Sequence, residues 1–145
     1  MKVYVAADHA GFALKTALVE HLLAQGHEVE DLGTHSPESV DYPDFAHLLA
    51  EKMRLTPDAR GILVCATGIG MSMAANRHPG VRAALAHDAY TAEMARRHNN
   101  ANVLCLGGRV TGEGVARQMV DIFLATPFDG GRHARRVTKL EVPHE

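Results

Sequence analysis

Four short apolar runs in this chain end in groups that can do chemistry. Ala7 is followed by Asp8-His9-Ala10-Gly11, Val64 by Cys65-Ala66-Thr67-Gly68-Ile69-Gly70-Met71-Ser72, Ala86 by His87-Asp88, and Leu106 by Gly107-Gly108-Arg109. An acid, a base, a thiol and a guanidinium at such ends supply proton-transfer groups and a cationic contact. The Cys65 segment is the richest of them. Gly68 and Gly70 allow a tight turn whose N–H groups point outward. A helix starting there would add its free N–H groups and the positive end of its dipole. That combination binds an anion, whether a phosphate or an oxyanion formed during reaction, and the same donors stabilise a thiolate. A plainer reading makes Cys65 a small buried side chain and the glycines only a turn; position alone does not separate the two.

The other candidates divide in the same way. Asp8 could act in a site or cap a following helix, and His9 could act there or lie on the surface. His98 closes a helical stretch, where the dipole favours a protonated imidazole, unless it simply caps that helix. In Gly130-Gly131-Arg132-His133-Ala134-Arg135-Arg136, Arg132 and Arg136 stand four residues apart. On a helix they face the same way, and two guanidinium forks on one face suit a phosphate dianion; the alternative is a solvated basic end. Cys105, inside an apolar run, reads as core. His21, His27, His35, His47, His78 and His144 show no constellation and read as surface or loop residues. Gly68-Ile69-Gly70-Met71-Ser72-Met73 starts like a dinucleotide fingerprint but ends in methionine and follows the third strand, so nicotinamide or flavin binding is not expected. No H-E-x-x-H or Cys/His ligand spacing occurs, so no metal site is expected.

Strands alternating with helices must carry these groups. Strands are expected over 3–7, 27–32, 61–65, 81–86 and 103–106. Helices are expected over 12–25, 45–54, 69–77, 88–98 and 112–124, with a short one closing the tail. In the first helix Leu14, Leu18, Leu22 and Leu23 share a face and Gly26 stops it; residues 33–42 form a polar loop. Asp41 or Asp44 would start the second helix. Asp88 caps the fourth, and Asn99 or Asn100 ends it in the left-handed region. Apolar strands separated by helices imply a parallel sheet covered on both faces. The expected fold is a single α/β domain, a three-layer Rossmann-like sandwich with a five-stranded parallel sheet and its sites at the C-terminal strand ends.

Bulk properties narrow the function classes. The 145 residues suit one domain, and 46% hydrophobic with 22% charged residues is ordinary globular composition. A net charge of −2 argues against a general nucleic-acid binder, so any anion site is local. Two cysteines outside any CxxC pair argue against a zinc ribbon or disulfide framework. The chain enters a strand at once without a signal peptide, and no apolar stretch approaches the ~20 residues that cross a bilayer. A cytoplasmic protein with reduced thiols is expected.

The motifs in order carry a resemblance. Ala7-Asp8-His9-Ala10-Gly11, Asp41-Tyr42-Pro43, Cys65-Ala66-Thr67-Gly68-Ile69-Gly70, Ala75-Asn76, Arg97-His98-Asn99, Asn102-Val103-Leu104, Gly108-Arg109 and Gly131-Arg132-His133 span nearly the whole chain. Together the chain resembles ribose-5-phosphate isomerase type B, the family that also holds the galactose-6-phosphate isomerase subunits. The resemblance implies an aldose–ketose isomerase that interconverts D-ribose 5-phosphate and D-ribulose 5-phosphate through an enediolate, in the non-oxidative pentose phosphate pathway. Allose or galactose 6-phosphate as substrate, or a non-catalytic sugar-phosphate sensor, are the alternatives.

Roles follow from the resemblance residue by residue. Cys65 is implied as the base that moves a proton between C2 and C1. Relatives that use a glutamate carry it where this chain has Met71. Thr67, with the turn of Ala66, Gly68, Ile69 and Gly70, is implied as the oxyanion site, Ala66 standing where many relatives have glycine. Asp8 and His98 would handle ring opening and sugar hydroxyls, and Tyr42 and Asn99 would touch the sugar. His9, Arg109, Arg132 and Arg136, with His133 beside them, would hold the phosphate. No cofactor or metal is implied. The implied assembly is a homodimer with shared sites, which could pair further into a tetramer. Cys65 and Asp8 would come from one subunit, and His98 and the basic tail of about 128–145 from the other.

Overall fold

The computed structural model describes residues 1–142; His144 lies outside them. Five parallel strands, β1 (Lys2–Ala7), β2 (Glu28–Asp31), β3 (Arg60–Cys65), β4 (Ala83–Leu85) and β5 (Val103–Gly107), form one sheet in the order β2-β1-β3-β5-β4. The helices are α1 (Phe12–Ala24), α2 (Tyr42–Leu55), α3 (Ile69–Ala75), α4 (Ala89–Arg97), α5 (Glu113–Ala125) and α6 (Arg132–Thr138). The expected α/β sandwich is the fold observed.

Strand side chains alternate between two cores. Val3, Val5, Ile62, Val64, Leu104 and Leu106 pack against α1, α4 and α5. Tyr4, Ala6, Leu63, Cys65, Val103 and Cys105 pack against α2 and α3. Burial on both faces explains why the central strands read as unbroken apolar runs. The exception is β2, Glu28-Val29-Glu30-Asp31, a partly exposed edge strand.

Several boundaries differ from the sequence expectation, each for a physical reason. The α2 helix begins at Tyr42 rather than 45, because Pro43 in its first turn is tolerated there. Asp41 stands at its N-cap, but without a side-chain cap bond. The α3 helix stops at Ala75, and Asn76 instead bonds both backbone groups of Ala83. β4 shortens to Ala83–Leu85, the stretch in register with β5. Leu23 is exposed, its three partners facing the core without it. Gly26 (φ 85°) and Asn100 (φ 47°) stop their helices in the left-handed region, and Asp88 accepts the Thr91 N–H at 2.7 Å as the N-cap of α4.

Register decides which groups meet. Ala7 pairs with Val64, and Cys65 with Gly107, so Asp8, Cys65 and Gly108 emerge together at the C-terminal edge. Helices return antiparallel to the strands, so the C-terminal end of α4 lies at the other edge. Strands of five and six residues separate the edges by about 16–20 Å.

Candidate active site

At the C-terminal edge the Cys65 turn is built by close backbone packing. Gly68 has φ 85°, and a Cβ on it would lie 2.7 Å from Leu85 and 3.0 Å from the Leu106 carbonyl. Glycine is therefore required there. Its N–H donates to Cys65 Sγ at 3.1 Å. Thr67 Oγ1 accepts the Ile69 N–H at 3.2 Å, while the N–H groups of Gly70 and Met71 in the first turn of α3 have no carbonyl within the helix. The Tyr42 ring covers Gly70 so closely that a Cβ there would sit 2.5 Å from it. Ala66 has no positive φ, so its side chain adds no backbone strain to the turn.

The neighbouring loops are stitched to this turn. Gly108 N–H donates to the Cys65 carbonyl (2.7 Å) and Arg109 N–H to that of Ala66 (3.0 Å), and the Arg109 side chain is exposed. Asp8 is buried, and its Oδ1 accepts N–H groups of Ala10 (2.9 Å) and Gly11 (3.0 Å). It braces the turn ahead of α1 through Oδ1 alone. His9 Nδ1 accepts the Val40 N–H at 3.1 Å, which in the neutral ring leaves the proton on Nε2, an outward donor. Behind these loops the buried Lys15 donates to both oxygens of Asp31 at 2.8 and 2.7 Å. Asp31 in turn holds the Gly33 N–H, and Gly33 and Thr34 bond the end of β1. Cys105 is fully buried, and burial pushes its thiol up; it is core, as its run of neighbours suggests.

The remaining candidates gather at the opposite edge. His98 caps α4, and its ring stacks on that of His133 at 4.3 Å with 10° between planes. His98, Asn99, His133 and Arg136 line a cavity of about 230 Å³. Arg132 is the exposed first residue of α6. Partial burial, then the neighbouring His98, Arg132 and Arg136, lowers His133 below the ordinary imidazole value. His98, Asp129 and His133 also bring ligand atoms within 4.8 Å of one another. The rings are parallel, however, and Arg97 holds Asp129 at 3.2 Å. In-plane lone pairs of stacked rings cannot meet at one ion without turning.

The candidate residues of one chain thus divide between opposite sheet edges. Cys65, Thr67, Asp8, His9, Tyr42 and Arg109 occupy one edge, and His98, Asn99, Arg132, His133 and Arg136 the other. The sequence reading missed several contacts. His47 and His78 hydrogen-bond at 2.7 Å across 31 residues, and His21 pairs with Asp121 at 2.8 Å. No local pattern announces either.

Comparison with known proteins bears on this arrangement. A family model described as Ribose/Galactose Isomerase matches residues 3–140. The chain is 46% identical over 139 residues to the probable ribose-5-phosphate isomerase B of Mycoplasma pneumoniae, covering 95% of this chain and 91% of that one. It is similar to the solved ribose-5-phosphate isomerase B of Clostridium thermocellum, with TM-score 0.94, 49% identity, and 97% and 95% of the two chains covered. It is also similar to the Mycoplasma genitalium ribose-5-phosphate isomerase B solved with bound ribulose-5-phosphate, with TM-score 0.93, 45% identity, and 96% and 93% covered.

Proposed function

The chain belongs to the ribose/galactose isomerase family, and we propose that it interconverts D-ribose 5-phosphate and D-ribulose 5-phosphate by proton transfer at Cys65. The observation that carries the reading is the Cys65 turn. A thiol stands 3.1 Å from the Gly68 N–H, beside the free amides of α3, in a chain whose relative binds ribulose-5-phosphate.

The chemistry runs as follows. Asp8 and His98 open the sugar ring and hold its hydroxyls. The Cys65 thiolate takes the proton from C2; the C–H electrons form the C1=C2 bond and the carbonyl pair moves to O1. Thr67 and the turn of Gly68, Ile69 and Gly70 stabilise that oxyanion: the Gly70 N–H is unengaged, and those of Gly68 and Ile69 turn to it from Cys65 Sγ and Thr67 Oγ1. Cys65 then returns the proton to C1, the O2 proton passes to O1, and the ketose results. Tyr42 and Asn99 contact the sugar, and His9, Arg109, Arg132, His133 and Arg136 hold the phosphate. No step calls for a cofactor.

The separation of the half-sites supports a shared site. His98 and α6 of one subunit cannot reach their own Cys65 across about 16–20 Å of sheet, so a homodimer completes each site from two chains. Two free cysteines, with no helix among the described residues long and apolar enough to cross a membrane, accord with a cytoplasmic enzyme of the pentose phosphate pathway. The whole chain, 1–145, acts as one such domain.

Two measurements test the reading. A coupled assay should show turnover of ribose 5-phosphate well above that of allose or galactose 6-phosphate. A preference for a six-carbon sugar would change the substrate, and turnover of none would leave a sensor. The second concerns the clamp. Hydrogen bonds to charged groups contribute roughly 1.5–3 kcal/mol, so Arg132→Ala or Arg136→Ala should lower kcat/KM by about one to two powers of ten. The loss should nearly vanish with free ribose. Arg135 lies on another face of α6, and Arg135→Ala should have little effect. Equal behaviour of all three variants would make α6 a solvated basic end.

A further inference from the structure

Arg96, the second-last residue of α4, is only 3% exposed. Its guanidinium meets no carboxylate among the described residues. Nε donates to the Thr126 carbonyl at 3.1 Å, and Nη1 to the Ala101 carbonyl at 2.6 Å and to Asn100 Oδ1 at 3.0 Å. Burial, then repulsion from Arg60 and Arg82, lowers it to about 10, which leaves it protonated at neutral pH. A buried cation without a counter-charge opposes folding. Three oxygen acceptors and the Phe123 ring, its centroid 5.9 Å from the guanidinium carbon, offset that cost.

What Arg96 holds is geometry. Asn100, with φ 47°, reverses the chain directly after His98 and Asn99. Thr126 is the C-cap of α5, from which residues 127–131 lead into α6 with Arg132, His133 and Arg136. One guanidinium therefore ties the turn bearing His98 and Asn99 to the root of the segment bearing the phosphate residues. At the surface Arg97 repeats the tie, donating from Nε to Asp129 at 3.2 Å and accepting the Asp129 N–H at 3.0 Å. The α6 helix has no buried residue of its own, so its placement depends on such ties.

We propose that Arg96 is a positioning residue for the isomerase reaction, fixing the His98–Asn99 turn and the lead-in to α6 at one spacing. The inference rests on the reading of His98, Asn99 and the α6 arginines as site residues. Small displacements of positioned groups cost up to about a hundredfold in rate. Arg96→Met should therefore lower kcat/KM on ribose 5-phosphate about ten- to a hundredfold. Arg96→Lys, which keeps a donor within reach of the same carbonyls, should recover part of it.

Amide hydrogen exchange on the full chain supplies a readout independent of turnover. In Arg96→Met, exchange should quicken at residues 98–101 and 129–133 and stay unchanged at 3–7 and 61–65. Wild-type kcat/KM in Arg96→Met would overturn the proposal, and so would exchange that quickens everywhere alike. If Arg96→Met does not fold, Arg96→Lys faces the same two criteria with a smaller expected loss. If the wild type fails to turn over ribose 5-phosphate, the isomerase reading fails instead, and the exchange pattern alone decides whether Arg96 holds the two segments.

Discussion

Replacing Cys65 with alanine should lower ribose 5-phosphate turnover by about two to four powers of ten, the range of a positioned acid–base group. Binding should stay close to wild type, because the thiol acts on a C–H bond and takes no part in the phosphate clamp. Calorimetry with ribose 5-phosphate on the alanine variant measures that binding without interference from turnover. The fold should tolerate the change. Alanine is smaller than cysteine, Gly68 keeps its conformation, and the Cys65 carbonyl still accepts the Gly108 N–H at 2.7 Å. Alkylation supplies a second check. Cys65 is 5% exposed at the edge of the sheet, while Cys105 is at 0% and burial pushes its thiol up. Iodoacetamide should therefore inactivate through Cys65, and a substrate analogue should protect. Wild-type-like turnover in Cys65→Ala, or inactivation that ignores the analogue, would remove the thiol from the mechanism.

The placement of the candidate residues around Cys65 was legible in the sequence, because one general rule locates it: in a parallel sheet, groups at strand ends share an edge. Asp8, Cys65 and Arg109 each follow a recognisable apolar run, and the register brings those runs level. The group at the opposite edge was legible only in residue type. Spacing pairs Arg132 with Arg136, but the edge on which α6 rests depends on Thr126, Asp129 and the His98–His133 stack. None of those contacts is local. Charged residues that are buried were the least visible. Lys15 and Arg96 occupy ordinary helical positions where a long cation reads as solvent-facing, and only tertiary structure shows their carboxylate and carbonyl partners. The β2 strand was found although its Glu28-Val29-Glu30-Asp31 is polar, because turn residues bound it. Leu23 was misplaced because, next to Leu22, it fits the apolar spacing of α1 without facing the core.

A shared site makes a stronger demand than any single substitution. Cys65→Ala and His98→Asn should each be nearly inactive as homodimers, since each spoils both sites. Unfolded together in equal amounts and refolded, the two chains should form mixed dimers in about half of the population by random pairing. In a mixed dimer, one site receives both altered residues and the other receives neither, because Cys65 and His98 of any one site come from different chains. About a quarter of wild-type activity should therefore return, half of the dimers each with one of two sites intact. A site contained within one chain predicts the opposite. There the chain with Cys65→Ala spoils its own site and the chain with His98→Asn spoils its own, so mixing restores nothing. Native mass spectrometry establishes that mixed dimers form, the two chains differing in mass. Mixed dimers without activity would place His98 and Cys65 in one chain's site, against the about 16–20 Å of sheet that lies between them.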